Sequence, residues 1–164
     1  MADSKKRLFL RLMAMPLAML GLSPPAPAKP VSENMQLMGA IARAIVNSGR
    51  LQGVDWVEVS AIFAIDSDGD VNESYGYAYD AQGKAHAATF LDDAVAREVK
   101  AYREWLRQKD DKGIIKMLFQ FNRNTWRVRA DFEYDDPLRW QVTPRNLDAM
   151  IEALRPKLGS ASGK

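Results

Sequence analysis

The stretch Trp126-Arg127-Val128-Arg129-Ala130-Asp131-Phe132-Glu133-Tyr134 decides the fold. Apolar side chains take every second position and charges fill the gaps, which is the period of a β-strand with one face against a core. Just upstream, Ile115, Met117, Phe119 and Phe121 repeat the alternation, and Asn122-Arg123-Asn124 supplies turn chemistry between the two runs. The pair therefore predicts an antiparallel hairpin with its apolar rows on the same side.

Working outward, the segment from Leu91 to Gln108 places Leu91, Val95, Val99, Tyr102 and Leu106 at helical spacing with charges between them. Earlier still, Val57, Val59, Ala61, Phe63 and Ile65 alternate with Glu58 and Ser60, as in a half-buried strand. After the turn residues Asp66-Ser67-Asp68-Gly69, Val71, Tyr75, Tyr77 and Tyr79 line one side of a second strand. Asp80-Ala81-Gln82-Gly83 turns the chain again, into a short third strand between Lys84 and Thr89. A first helix capped by Ser32 buries Met38, Ile41, Ala42, Ile45 and Val46 and stops at Ser48-Gly49. Thr143-Pro144 opens a last helix with Leu147, Met150, Ile151 and Leu154 inward. The order α-β-β-β-α-β-β-α, with strands in runs, predicts an α+β fold: a mostly antiparallel sheet of about five strands with helices packed on it.

Three regions are expected. Residues 1–31 form a basic and apolar leader, residues 32–158 a single α+β domain, and residues 159–164 a disordered tail. The leader carries Lys5, Lys6, Arg7, Arg11 and Lys29 against Asp3, so the remainder, with 18 basic and 20 acidic residues, is slightly acidic. A nucleic-acid-binding domain wants a basic stripe on the folded part, so direct nucleic-acid binding is not expected. The leader resembles a secretory signal peptide with Ala26-Pro27-Ala28 as its cleavage site, although Pro16 and Arg11 interrupt the pattern. The run from Leu12 to Leu22 is too short to span a bilayer, and no stable membrane insertion is expected. The expected location is cytoplasmic, with a periplasmic or exported protein as the alternative if residues 1–28 are cleaved. Nothing in the sequence specifies the oligomeric state.

No catalytic residues, metal ligands or cofactors are expected. The chain has no cysteine and one histidine, His86, so nitrogen- and sulfur-preferring metals lack ligands and a histidine-based triad lacks a visible partner. Asp66, Asp68, Asp70 and Glu73 lie close together, but Gly69 and Glu73 fall too early for a calcium loop, and an acidic hairpin turn fits better. The remaining charged feature is Asp131, Glu133, Asp135 and Asp136, flanked by Tyr134 and Trp140. Aromatic anchors beside charges suit a protein interface, and these six residues are the expected partner-binding surface.

The order of elements, the stretch Asn124-Thr125-Trp126 through Tyr134-Asp135-Asp136, the opening helix from Met35 to Val46 and the strand start Asp55-Trp56-Val57 together resemble the YezG-like immunity-protein family. The resemblance covers Met35 to Leu158. It implies a small non-enzymatic antitoxin that binds a cognate toxin domain, in such families often a nuclease, and occludes its active surface. The alternative from the residues alone is an exported small-ligand-binding or housekeeping domain.

Overall fold

Ser32 begins the first helix as its position predicts: its Oγ accepts the N–H of Met35 at 3.3 Å, satisfying one of the donors that a helix start leaves open. The computed structural model describes residues 31–158, and the expectations for the leader and tail lie outside them. The elements are α1 (Glu33–Asn47), β1 (Trp56–Ile65), β2 (Val71–Asp80), β3 (Ala85–Ala88), α2 (Asp93–Arg107), β4 (Lys116–Asn122), β5 (Arg127–Glu133) and α3 (Leu147–Ala153). The expected α+β class and element order hold.

The five strands form one sheet in the order β3-β2-β1-β4-β5, and every neighbouring pair is antiparallel. One face carries the main core. Val59, Ala61 and Phe63 of β1 and Met117, Phe119 and Phe121 of β4 are fully buried under Met38, Ile41, Ala42 and Ile45 of α1 and Val95, Val99 and Tyr102 of α2. Each large side chain so buried is worth about 1.5–3 kcal/mol of apolar transfer, and this face dominates the stability of the domain.

The opposite face is covered as well. Ile62, Tyr77, Tyr79 and Leu118 pack with Leu154, and Trp140, Val142, Met150 and Ile151 complete the layer. The chain after β5 thus returns across the sheet as a strap that includes α3. It is tied down through polar groups: the Tyr79 hydroxyl donates to the Ile151 carbonyl at 2.9 Å, Gln120 Nε2 donates to the Leu154 carbonyl at 2.9 Å, and the Ser60 hydroxyl donates to the same carbonyl. A buried polar group is tolerated when it is paired, as these are.

This second layer corrects several expectations. β1 is not half-buried, because Ser60 and Ile62 on its supposed solvent face are inaccessible beneath the strap. Val71 packs into the main core whereas Tyr75, Tyr77 and Tyr79 belong to the other face, since the pairing shifts between Ala64 and Ile65. Ile114 rather than Ile115 is the fully buried residue ahead of β4. Val46 is exposed because α1 turns only one stripe to the core, and Leu91 is exposed because α2 starts later, at the N-cap Asp92. Thr143-Pro144 does not open the last helix. Thr143 and Asn146 instead close a turn through N–H and carbonyl bonds in both directions, so α3 begins at Leu147, which is itself exposed. Trp126 stands in the β4–β5 turn at φ 56°, a conformation few non-glycine residues adopt, and is 54% exposed instead of facing the core.

Candidate partner-binding surface

β5 ends at Glu133, and the six residues expected to meet a partner gather around this end of the edge strand. Glu133 is built into the turn that follows. One carboxylate oxygen accepts the N–H groups of Tyr134, Asp135 and Asp136 at 2.8, 2.8 and 3.0 Å, and the other accepts Arg139 Nη1 at 2.8 Å. The Asp135 and Asp136 N–H groups, then the Arg139 guanidinium and the Tyr134 N–H, pull its carboxyl from the ordinary 4.5 down to about 2. Its function in this fold is to shape the turn.

The neighbouring acids are mostly paired too. Asp131 lies 3.1 Å from Arg129, and Asp135 takes Lys112 Nζ at 2.8 Å. Asp136 has no ion-pair partner among the described residues; its Oδ1 accepts the Leu138 N–H at 2.9 Å. Exposed pairs of this kind are individually weak, but they lower the negative field that the four acids suggest in isolation. Tyr134 is half-buried, with its hydroxyl donating to Asp111 at 2.6 Å and Lys112 above its ring. Burial, and then the bond to Asp111, push the phenol up to about 12. Trp140 sits at φ 60°, with the Arg139 guanidinium 4.3 Å from its ring centre and its ring packed in the second layer.

The structure therefore separates the six. Asp135 and Asp136 lie exposed on the turn and Asp131 half-exposed on the strand, while Glu133, Tyr134 and Trp140 hold the turn in place. It also adds a residue that alternation did not single out. Leu138, 66% exposed, projects from the Asp135-Asp136-Pro137-Leu138 turn and is the most exposed large apolar side chain among the described residues. An isolated leucine in an otherwise polar Pro-containing turn is the sequence signal that could have marked it.

A second feature lies beside this turn. A cleft of about 650 Å³ opens between the sheet and the strap, lined by Ile65, Asn72, Tyr75, Lys116, Gln141 and Val142 among others. Lys116 is 7% exposed, donates to the Arg139 carbonyl at 3.2 Å and stands over the Tyr75 ring. Burial, and then the nearby Glu73, raise the Tyr75 phenol above its usual value.

The other expected features are local. In the Asp66–Asp70 segment, Asp66 accepts the N–H groups of Asp68 and Asp70, and Asp70 pairs with Lys100 at 2.5 Å, which is the acidic turn that the residue order predicts. His86 Nε2 lies 2.8 Å from Asp80, whose other oxygen accepts the Gln82 and Lys84 N–H groups. That hydrogen bond is the main reason the Asp80 carboxyl titrates below its ordinary range. Among the described residues no group of three or more His, Cys, Asp or Glu side chains is placed to hold a metal, and no helix is long and apolar enough to cross a membrane. No protein-family model matches the chain, and no curated protein does either.

Proposed function

We propose that the protein is an immunity protein: it binds a cognate toxin domain, in families of this kind often a nuclease, and covers its active surface. The observation that carries this reading is the turn after β5, where Asp135, Asp136 and Leu138 project from a loop that Glu133, Tyr134 and Trp140 hold in one shape. A rigid loop presenting an apolar knob between acids loses little entropy on docking, and a basic partner surface complements it. Ion pairing within the ridge makes local contact, rather than a broad negative field, the basis of recognition.

The test is neutralisation of a candidate toxin domain, sought among the genes beside this one, scored by growth on co-expression and by titration calorimetry with the purified toxin domain. Changing Asp135 and Asp136 to Lys together with Leu138→Asp is expected to abolish protection while leaving the thermal melt close to wild type. Glu133 is left unchanged, since replacing it would disturb the turn. Undiminished protection by this triple variant would move the contact elsewhere, and a lack of binding by the wild type would end the reading.

A second reading, a small-ligand-binding domain, is favoured by one observation: the cleft whose floor carries the buried cation Lys116. Saturable shifts of the Lys116 and Tyr75 resonances on titration with short-chain carboxylates would support it, and unchanged spectra would remove it.

A further inference from the structure

The margin of the sheet at β5 is paired on one side only, by β4, and it is the longer of the two edges, seven residues against four in β3; of its outward backbone groups the Phe132 carbonyl accepts Arg139 Nη1 at 3.2 Å, a side-chain contact that an incoming strand would displace. Open edges of this length invite another strand unless they are covered or broken. The charges along β5 indicate which strand. On one face the order is Arg127, Arg129, Asp131, Glu133, so the strand is positive in its first half and negative in its second. We infer that two copies of this chain pair through β5, antiparallel about a two-fold axis at Ala130, to form one continuous ten-stranded sheet.

Symmetry makes the register specific. A two-fold axis perpendicular to the sheet keeps corresponding faces together, so only shifts of whole residue pairs are allowed. With Ala130 opposite itself, Arg129 faces the partner's Asp131, and Arg127 faces the partner's Glu133, on both sides of the axis. Moving the centre one residue in either direction sets Asp131 opposite Asp131 or Arg129 opposite Arg129. Unlike charges directly across strands stabilise the pairing and like charges oppose it, so the alternation selects one arrangement.

The other face agrees with it. In the same register Val128 meets Phe132, on both sides of the axis. Val128 and Phe132 are only partly buried at the margin of the main core. A second copy would extend that apolar row. Arg129 and Asp131 pair with each other within one chain at 3.1 Å, and both keep enough exposure, 54% and 32%, to exchange that contact for one across the axis. Arg127 already donates to the Leu158 carbonyl and Glu133 is held by three turn N–H groups and Arg139, so the Arg127–Glu133 pair adds little and the weight of the argument rests on Arg129 and Asp131. Asp135, Asp136 and Leu138 lie beyond the paired stretch, and self-association is independent of the toxin reading because it requires no other protein.

The test is the molar mass of the full chain over a concentration series, by light scattering and sedimentation. Wild type is expected to rise from 18.4 kDa to twice that value. Arg129→Asp and Asp131→Arg each set like charges opposite at two places, so each is expected to weaken the dimer at least tenfold. Mixing these two variants restores unlike pairs at both places, and the mixture is expected to dimerise as tightly as wild type. That rescue also shows that each variant is folded. A wild type that stays at 18.4 kDa throughout, a dimer indifferent to both substitutions, or a mixture that fails to recover would overturn the inference.

Discussion

Glu133 Oε2 lies 2.8 Å from Arg139 Nη1, while Glu133 Oε1 accepts three successive backbone N–H groups, so one side chain joins the end of β5 to the strap that crosses the sheet. All of these contacts favour the ionised carboxylate over the neutral acid, which is why its pKa falls to about 2.

A consequence is a defined pH window. The folded pKa lies below the ordinary 4.5, so the contribution of Glu133 is complete above about 4.5 and is lost as pH falls toward 2. Glu133→Gln is therefore expected to be less stable than wild type at neutral pH, with the gap closing through that window. Urea melts of both proteins at a series of pH values measure it, and a gap independent of pH would show that the carboxylate charge does not hold the turn.

The strap should also depend on Gln120. Its amide donates to the Leu154 carbonyl at 2.9 Å and to the Ser60 hydroxyl at 3.2 Å, in a buried region. Gln120→Leu keeps the bulk but leaves the carbonyl with one donor fewer, and the expected loss is about 1–3 kcal/mol. The urea midpoint should fall with little change in slope. A loss below about 0.5 kcal/mol would mean that packing alone holds the strap.

These contacts explain what was and was not legible in the sequence. β5 could be read directly because Arg127 and Arg129 stay exposed between the half-buried Val128 and Ala130, so hydrophobic alternation and burial agree along its first half. In β1 and β4 they do not. Ser60, Lys116 and Gln120 alternate with apolar residues just as a solvent-facing row would, yet the returning strap buries them, and local periodicity carries no record of a segment that arrives later in the chain. The six residues do lie near one another at the end of β5, but their division into exposed side chains and internal supports depends on how three N–H groups converge on Glu133. Trp126 was misplaced because alternation continues one residue past the strand, into a turn whose backbone reverses it.

Gly76 should be the least replaceable glycine. Its φ is 152°, and a Cβ there would lie 1.9 Å from the Ser60 carbonyl oxygen and 3.3 Å from the Phe90 ring. Backbone cannot yield as a side-chain tip can, so Gly76→Ala must push β1 and β2 apart at the centre of the sheet, at a cost of about 3 kcal/mol or more. Gly53 is the control. At φ 86° with nothing within 4 Å, Gly53→Ala meets only backbone strain, about 1–2 kcal/mol. Equal thermal shifts for the two variants would contradict this account.

Arg103 offers the last test, because it is a charged residue in an apolar helix face and is only 7% exposed. Its Nε donates to the Ile114 carbonyl at 3.3 Å, and Nη1 reaches Glu104 at 3.4 Å. The guanidinium also fills the space that side chains at Gly69 and Gly113 would need, so it fastens α2 to the β1–β2 turn and to the loop before β4. Arg103→Met retains the apolar stem but removes every donor, leaving the Ile114 carbonyl without its side-chain partner. The expected loss is about 2–3 kcal/mol, the range for a hydrogen bond to a charged group. Hydrogen exchange should localise the effect: Gly69 and Gly113 amides are expected to lose protection more than those of β4. If protection falls uniformly instead, Arg103 contributes to global stability without acting as a local fastening.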